Sequence, residues 1–445
     1  MKKILILGAG LSTNNLIEYL LNNAENHDWH VTVGDISEEM ARQKVNSHPR
    51  GSAKVFDIND PLESWRTIAD TDVVISMLPA SLHHLVADKC LDLRKPMLTA
   101  SYATDEIKAL GEKAKKAKIP IMMELGLDPG IDHMSAMNVI DRIKGEGNTL
   151  TSFYSFTGGL VAPEYDNNPC NYKFTWNPRN VVLAGNGVST FIHNNQYKYI
   201  PYHRLFDRHM KRKILQLGDF EIYANRDSLK YRDIYDLKDI PSMFRGTVRR
   251  PGFCKAWNVF VRLGCTEDDY TIENSENMTY RDFINAFLRY DRNMPVEIKL
   301  QEYCINATDP IVFEKLKWLG IFDKRKIGLK NATPAQILQK LLEEKWKMDP
   351  EDKDMIVMQH EFKYTSGEEE KMIVSAMAVE GINQTETAMS MTVGLPLGIA
   401  TKLLLTGKIN ETGIILPIHK DIYKPILTEL ETFGIKFEEK EYMLG

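Results

Sequence analysis

Cysteine is scarce in this chain of 445 residues: there are five, at Cys90, Cys170, Cys254, Cys265 and Cys304. The count is odd and no two are spaced C-x-x-C, which excludes a disulfide framework and a zinc knuckle and suits a reducing cytoplasm. A charge excess is also missing. Lys and Arg number 56 against 61 Asp and Glu, a net charge of -5, so nucleic acid is not the expected partner. No segment is of low complexity; with 43% hydrophobic and 26% charged residues the composition is that of a globular protein. Long apolar runs are lacking too. Only four apolar residues separate Lys3 from Gly8, too few for a signal peptide, so the chain is expected to start directly with its first strand. The stretch 389–405 is mostly apolar but contains Ser390, Thr392, Gly394, Pro396, Thr401 and Lys402, and is expected to form a buried helix rather than a membrane span.

What is present is a rhythm. Ile4 to Leu7 is a short apolar run ending at Gly8, the pattern of a parallel strand buried on both faces. Further strand-like runs are expected at 30–35, 54–57, 72–79, 96–100 and 120–124, with helical spacing at 16–21, 38–45, 81–93 and 104–118. Alternation at this pitch implies parallel crossovers and a doubly wound α/β sheet of the Rossmann type. From Leu150 the rhythm changes to strand-like runs at 152–156, 172–176 and 220–224, expected to form an antiparallel or mixed sheet. Helical signals dominate 266–348, including a start signal at Thr333-Pro334-Ala335-Gln336; the runs 354–364 and 371–380 read as a hairpin rejoining the sheet.

Gly8-Ala9-Gly10-Leu11-Ser12-Thr13 follows a strand and opens a helix, the context in which a glycine fingerprint has meaning. Gly8 permits a tight turn and Gly10 lets a pyrophosphate approach amide groups at the helix N-terminus. Thr13 stands where the third glycine belongs, which weakens the motif. Asp35, 25 residues after Gly10, is placed to accept hydrogen bonds from an adenosine ribose, or else to cap the helix starting near Ser37. Its charge would repel a 2′-phosphate and Ile36 offers no counter-charge, so NAD is expected over NADP. Asp57, closing the third strand-like run, is expected near the adenine or in a solvated loop.

The junction Glu124-Leu125-Gly126-Leu127-Asp128-Pro129-Gly130-Ile131-Asp132-His133 joins the two halves and is expected to carry Asp128, Pro129 and Asp132 in a first helical turn. Ser101-Tyr102, Thr157-Gly158-Gly159, Asn225-Arg226-Asp227-Ser228 and Arg245-Gly246-Thr247-Val248-Arg249-Arg250 add hydroxyls, backbone amides after a strand, and guanidinium forks suited to carboxylates. These motifs, together with Ile75-Ser76-Met77-Leu78-Pro79, Thr99-Ala100-Ser101-Tyr102, the run 157–164, Tyr172-Lys173-Phe174-Thr175-Trp176 and Thr392-Val393-Gly394-Leu395-Pro396, resemble the glutamate-forming saccharopine dehydrogenases over nearly the whole length.

The resemblance implies a three-part fold: a Rossmann domain over 1–126 and 394–445, a mixed-sheet α+β domain for saccharopine and dimerisation over 127–265 and 349–393, and a small helical domain over 266–348. It further implies that Ser101, Tyr102, Asp128, Arg226, Thr247, Val248 and Arg249 line the saccharopine pocket. The residues implied near the dinucleotide are Gly8, Gly10, Leu11, Asp35, Asp57, Met77, Ser101, Leu127, Asp128, Pro129 and Trp176. Relatives using NADP commonly carry arginine at the position of Ile36, which agrees with the NAD expectation, and Thr157 stands where relatives often have cysteine. Asp128 is the first candidate for proton transfer and Tyr102 the second, whereas His133, inside a predicted helix, is read as structural. The expected reaction is cleavage of saccharopine to glutamate and 2-aminoadipate 6-semialdehyde, or its reverse, in a homodimer with no metal, membrane or nucleic-acid partner. Two rivals are a carboxynorspermidine or homospermidine dehydrogenase of polyamine metabolism, whose substrate carries fewer carboxylates, and a non-catalytic dinucleotide-binding protein on the same fold.

Overall fold

The structure, a computed structural model, describes residues 1–444. Its contacts divide the chain into two compact units: Met1–Thr149 with Met377–Glu438, and Leu150–Ala376 with the segment from Glu439 onward.

In the first unit a seven-stranded sheet runs in the spatial order Gly413–Ile415, Pro120–Met122, Met97–Leu98, Val73–Ser76, Lys2–Leu7, Trp29–Asp35, Gly51–Val55. Every pairing is parallel. Ile4, Leu5, Ile6 and Leu7 are fully buried, as an apolar run covered on both faces must be. The chain leaves the Lys2–Leu7 strand in one direction and returns on its other side at Val73–Ser76. This reversal opens a crevice at the strands' carboxyl ends, where sheets of this class take ligands.

The expected helix at 104–118 is broken into Asp105–Lys108, capped by Thr104, and Gly111–Ala117; Gly111, a weak helix former, stands at the break. The helix Ala388–Leu405 is long and apolar enough to cross a membrane by length and composition, but 78% of it is buried. Its small residues let it lie against the helix Asn14–Ala24: a Cβ on Gly394 would stand 2.7 Å from the Leu16 amide nitrogen, and one on Gly398 2.6 Å from the Tyr19 ring. Ser390 Oγ accepts from the Asn15 amide at 3.1 Å, so this late segment satisfies a donor in the first turn of the helix that follows the glycine loop.

The second unit is built on a mixed sheet of nine strands. Ser242–Arg249 lies parallel to Thr149–Val161 and antiparallel to Asp219–Ala224. Asp354–Ser366 and Glu369–Glu380 are neighbours, as the hairpin expectation required. Thr157-Gly158-Gly159 is not an exposed turn but lies inside the Thr149–Val161 strand. A Cβ on Gly158 would stand 2.6 Å from the Val248 carbonyl oxygen, so the glycine permits close strand contact. The run 172–176 is not a strand. Phe174 donates to the Trp346 carbonyl at 2.7 Å and the Tyr172 ring centroid lies 4.9 Å from that of Trp346, so aromatic packing took what alternation suggested was pairing. In the predicted capping box, Thr333 Oγ1 accepts from the Gln336 amide at 3.2 Å and Gln336 Oε1 from the Thr333 amide at 2.9 Å. All five cysteines are free and buried.

Candidate functional site

The glycine loop is built as the spacing of its residues requires. Gly8 has φ +104° and a Cβ there would stand 2.9 Å from the Met77 carbonyl oxygen, so neither the conformation nor the space admits a side chain. A Cβ on Gly10 would meet nothing within 4 Å, which leaves open space in front of the helical turn Leu11–Thr13. Thr13, in place of the third glycine, donates its hydroxyl to the Gly10 carbonyl at 2.7 Å and braces the loop from inside. Leu11, directly after Gly10, and Ile36, directly after Asp35, are apolar and 72% and 78% exposed. Asp57 is exposed, two residues past the end of its strand, and turns back to accept from the Asn59 amide at 2.9 Å. Open volume at a helix N-terminus, framed by exposed apolar groups, fits a dinucleotide.

Asp35 behaves differently from the ribose acceptor expected of it. Its Oδ2 accepts from the Ala9 amide at 2.8 Å and its Oδ1 from the Ser37 amide at 2.9 Å. Both oxygens are engaged by backbone donors, so the carboxylate ties the glycine loop to the turn after its strand.

Ser101 and Tyr102 follow Met97–Leu98 on the same sheet edge and are half-buried. The Tyr102 hydroxyl donates to Asp128 Oδ1 at 2.8 Å, so the two proton-transfer candidates form one hydrogen-bonded pair. Asp128 and Pro129 are not in a helix; they precede it, joined by a cis peptide bond, and the helix is Ile131–Gly145. The reason is Gly130, at φ +146°, where a Cβ would stand 2.0 Å from the Gly126 carbonyl oxygen: the chain doubles back on itself before helical hydrogen bonding begins. Leu127 and Pro129 are buried in that turn, and Asp132 Oδ1 accepts from the Gly130 amide at 2.6 Å. His133 is fully buried with Nε2 2.6 Å from Glu124 Oε2, while Glu124 Oε1 accepts from the Ala103 amide at 3.0 Å. Sequence reasoning took His133 as structural but missed Glu124, the group that links it to the Ser101–Ala103 segment. It also missed His83, whose signal was its place at the start of the helix after the Ser76 strand.

In the second unit, Trp176 is half-buried in the segment after the Thr149–Val161 strand, and Arg226 is exposed at φ +48° just past the Asp219–Ala224 strand. Thr247 and Arg249 occupy alternate positions of Ser242–Arg249, hence one face; Val248 is buried between them in sequence and packs toward Gly158. Arg249 is 3% exposed. Its carbon centre lies 5.2 Å from the Tyr172 and Phe253 ring centroids and 5.7 Å from that of Tyr223. One terminal nitrogen donates to the Val248 carbonyl at 2.9 Å; among the described residues its Nε has no partner and no carboxylate forms an ion pair with it. Burial lowers the pKa of this group, but the Tyr223 and Tyr172 hydroxyls raise it and the net direction is upward, so it remains a cation.

The parallel sheet with its reversal point, the glycine loop and the open space before its helix define a dinucleotide-binding unit of the Rossmann class. Comparison with known proteins narrows this. The family profile described as saccharopine dehydrogenase NADP binding domain matches residues 4–122, and that described as saccharopine dehydrogenase C-terminal domain matches 126–435. The chain belongs to the saccharopine dehydrogenase family. It is 35% identical to the mouse mitochondrial alpha-aminoadipic semialdehyde synthase over 98% of its own length and 47% of that protein, so it spans about half of such relatives. It is 30% identical to the Saccharomyces cerevisiae saccharopine dehydrogenase [NADP(+), L-glutamate-forming] over 99% of both chains. The solved apo structure of the L-glutamate-forming enzyme from that yeast superposes with a TM-score of 0.89 at 29% identity, covering 99% of this chain and 100% of the other.

These findings overturn the expectation of NAD. The matched domain is described as NADP-binding and the fungal relatives carry NADP(+) in their names. The charge argument from Asp35 failed because it assumed a carboxylate directed at the ribose, whereas two backbone amides hold it.

Proposed function

We propose that this protein is an NADP-dependent saccharopine dehydrogenase of the glutamate-forming type, acting on a substrate with three carboxylates and one secondary amine. Arg249 carries the reading. A guanidinium buried without a counter-ion costs several kcal/mol, on the order of a broken buried ion pair, unless a ligand supplies the negative charge. A planar fork ringed by Tyr172, Tyr223 and Phe253 suits a carboxylate arriving in its plane. Arg226 is the second anchor in this reading, with Thr247 and the Val248 backbone beside Arg249.

When bound, the nicotinamide supplies the hydride acceptor. The chain's own groups handle protons and orientation. Oxidation needs the secondary amine unprotonated, and as a hydride leaves the adjacent carbon the nitrogen loses its proton to give a substrate imine. Asp128, whose Oδ1 accepts from the Tyr102 hydroxyl, is the acceptor in this account. Water then adds to the imine carbon, a proton returns to nitrogen, and the C–N bond breaks to release glutamate and 2-aminoadipate 6-semialdehyde. The sum is one water consumed, one hydride transferred and one proton released. Five buried free thiols agree with a reducing compartment such as the cytoplasm. A homodimer is the assembly the family resemblance implies, and light scattering on the purified protein tests it. The reaction is tested by incubating the purified protein with saccharopine and NADP and following reduced nicotinamide together with glutamate. Equimolar formation of both supports the proposal; nicotinamide reduction without glutamate, or neither, refutes it.

A further inference from the structure

Ser101 reaches the ligand edge of the first unit with a hydroxyl that is held from behind. His83, at the start of the helix His83–Asp92, is 1% exposed. Its Nε2 lies 2.7 Å from Ser101 Oγ and its Nδ1 lies 2.8 Å from Ser76 Oγ, at the end of the Val73–Ser76 strand. Thr99 Oγ1, which accepts from the Ser101 amide at 3.3 Å, lies 3.5 Å from Nε2, too long for a strong O–H···N bond, so Ser101 Oγ at 2.7 Å is the partner that decides the role of Nε2. Burial pushes the imidazole pKa down to about 4, so at neutral pH the ring carries one N–H and one lone pair.

The polarity of the chain follows from counting donors. Ser76 is fully buried and, among the described residues, its hydroxyl has one partner, His83 Nδ1. A buried O–H left without an acceptor costs more than an unused lone pair on the same oxygen, so Ser76 donates and Nδ1 accepts. The ring proton therefore sits on Nε2 and is given to Ser101 Oγ. Ser101, having accepted from behind, keeps its own proton for whatever lies in front of it.

We propose that His83 is a positioning residue that acts through Ser101: the relay Ser76 to His83 to Ser101 runs in one direction and aims the Ser101 O–H at an acceptor oxygen of the bound ligand, a substrate carboxylate or the nicotinamide carboxamide. The opposite tautomer would consume the Ser101 proton and present lone pairs to an oxygen, which repels. This deepens the proposed function and rests on it for the identity of the ligand, but not for the direction of the relay.

The test has one arm that needs no turnover. In protein labelled with 15N-histidine, His83 is expected to show the Nε2–H neutral tautomer throughout pH 6 to 8; an Nδ1–H tautomer or an imidazolium in that range overturns the proposal. The second arm compares two substitutions. In His83→Gln the amide nitrogen reaches the Nε2 position and donates to Ser101, whereas in His83→Asn it reaches only the Nδ1 position. His83→Asn is expected to lose about tenfold in affinity for either saccharopine or NADPH, and His83→Gln to recover to within about threefold. The ligand that weakens identifies the acceptor oxygen. Equal losses in the two variants, or a difference between them that persists in a Ser101→Ala background, overturn the relay. Failure to oxidise saccharopine with an Nε2–H tautomer and an NADPH arm as described would sink the proposed substrate and leave His83 in its role.

Discussion

Buried charge is treated in opposite ways in the two units. In the first, the fold closes the buried carboxylates of Glu124, by His133 and the Ala103 amide, and of Asp132, by the Gly130 amide, and in the same way the half-buried Asp35, by the amides of Ala9 and Ser37. In the second, Lys173 is closed in the same manner by Asp352 and Asp349, but Arg249 is not. Charge and position do not by themselves mark a ligand group. Asp35 has both, and is spent on the loop; Arg249 is distinguished by what it lacks.

The sharpest break in the first unit should come from Gly130→Ala. The new Cβ would overlap the Gly126 carbonyl, and the turn that sets Asp128 against Tyr102 cannot form; we expect at least about 4 kcal/mol of lost stability in urea unfolding, if the variant folds at all. Glu124→Ala should cost about 3 kcal/mol by the same measurement, because it removes one carboxylate that serves both a fully buried His133 and the Ala103 amide. Asp35→Ala removes two charge-assisted bonds at a partly exposed site, and about 1 kcal/mol is expected. A loss of NADP affinity from Asp35→Ala far larger than that figure would mean the carboxylate touches the dinucleotide after all. Arg249→Met should reverse the sign: replacing an uncompensated buried cation with an apolar group of similar length is expected to leave stability unchanged or raise it by about 1 kcal/mol. Destabilisation by several kcal/mol would show that the guanidinium serves the fold and would erase the contrast between the units.

Much of the first unit was legible because its rule is local. Apolar runs closed by glycine, separated by helical spacing, leave few alternatives to a doubly wound sheet, and Gly8 makes the tight turn its position announced. The second unit follows contacts remote in sequence: Tyr172 and Phe174 alternate like a strand but are held by Trp346, and Gly158-Gly159 looks like a turn but admits a neighbouring strand. The site was legible in its residue types and not in its bonds. Nothing in the order of residues says that Asp35 faces its own loop, that Gly130 delays the helix until Ile131, or that His83 connects two serines at the ends of two neighbouring strands. The cofactor expectation failed at that level, since a charge was weighed without its partners.

The most direct measurement is calorimetric titration of saccharopine into the wild type and Arg249→Met in the presence of NADPH, with NADPH affinity determined alongside. If the counter-ion of Arg249 is a carboxylate of the ligand, saccharopine affinity falls by about two orders of magnitude while NADPH affinity stays within about twofold. Unchanged saccharopine affinity in a folded Arg249→Met variant would contradict the account.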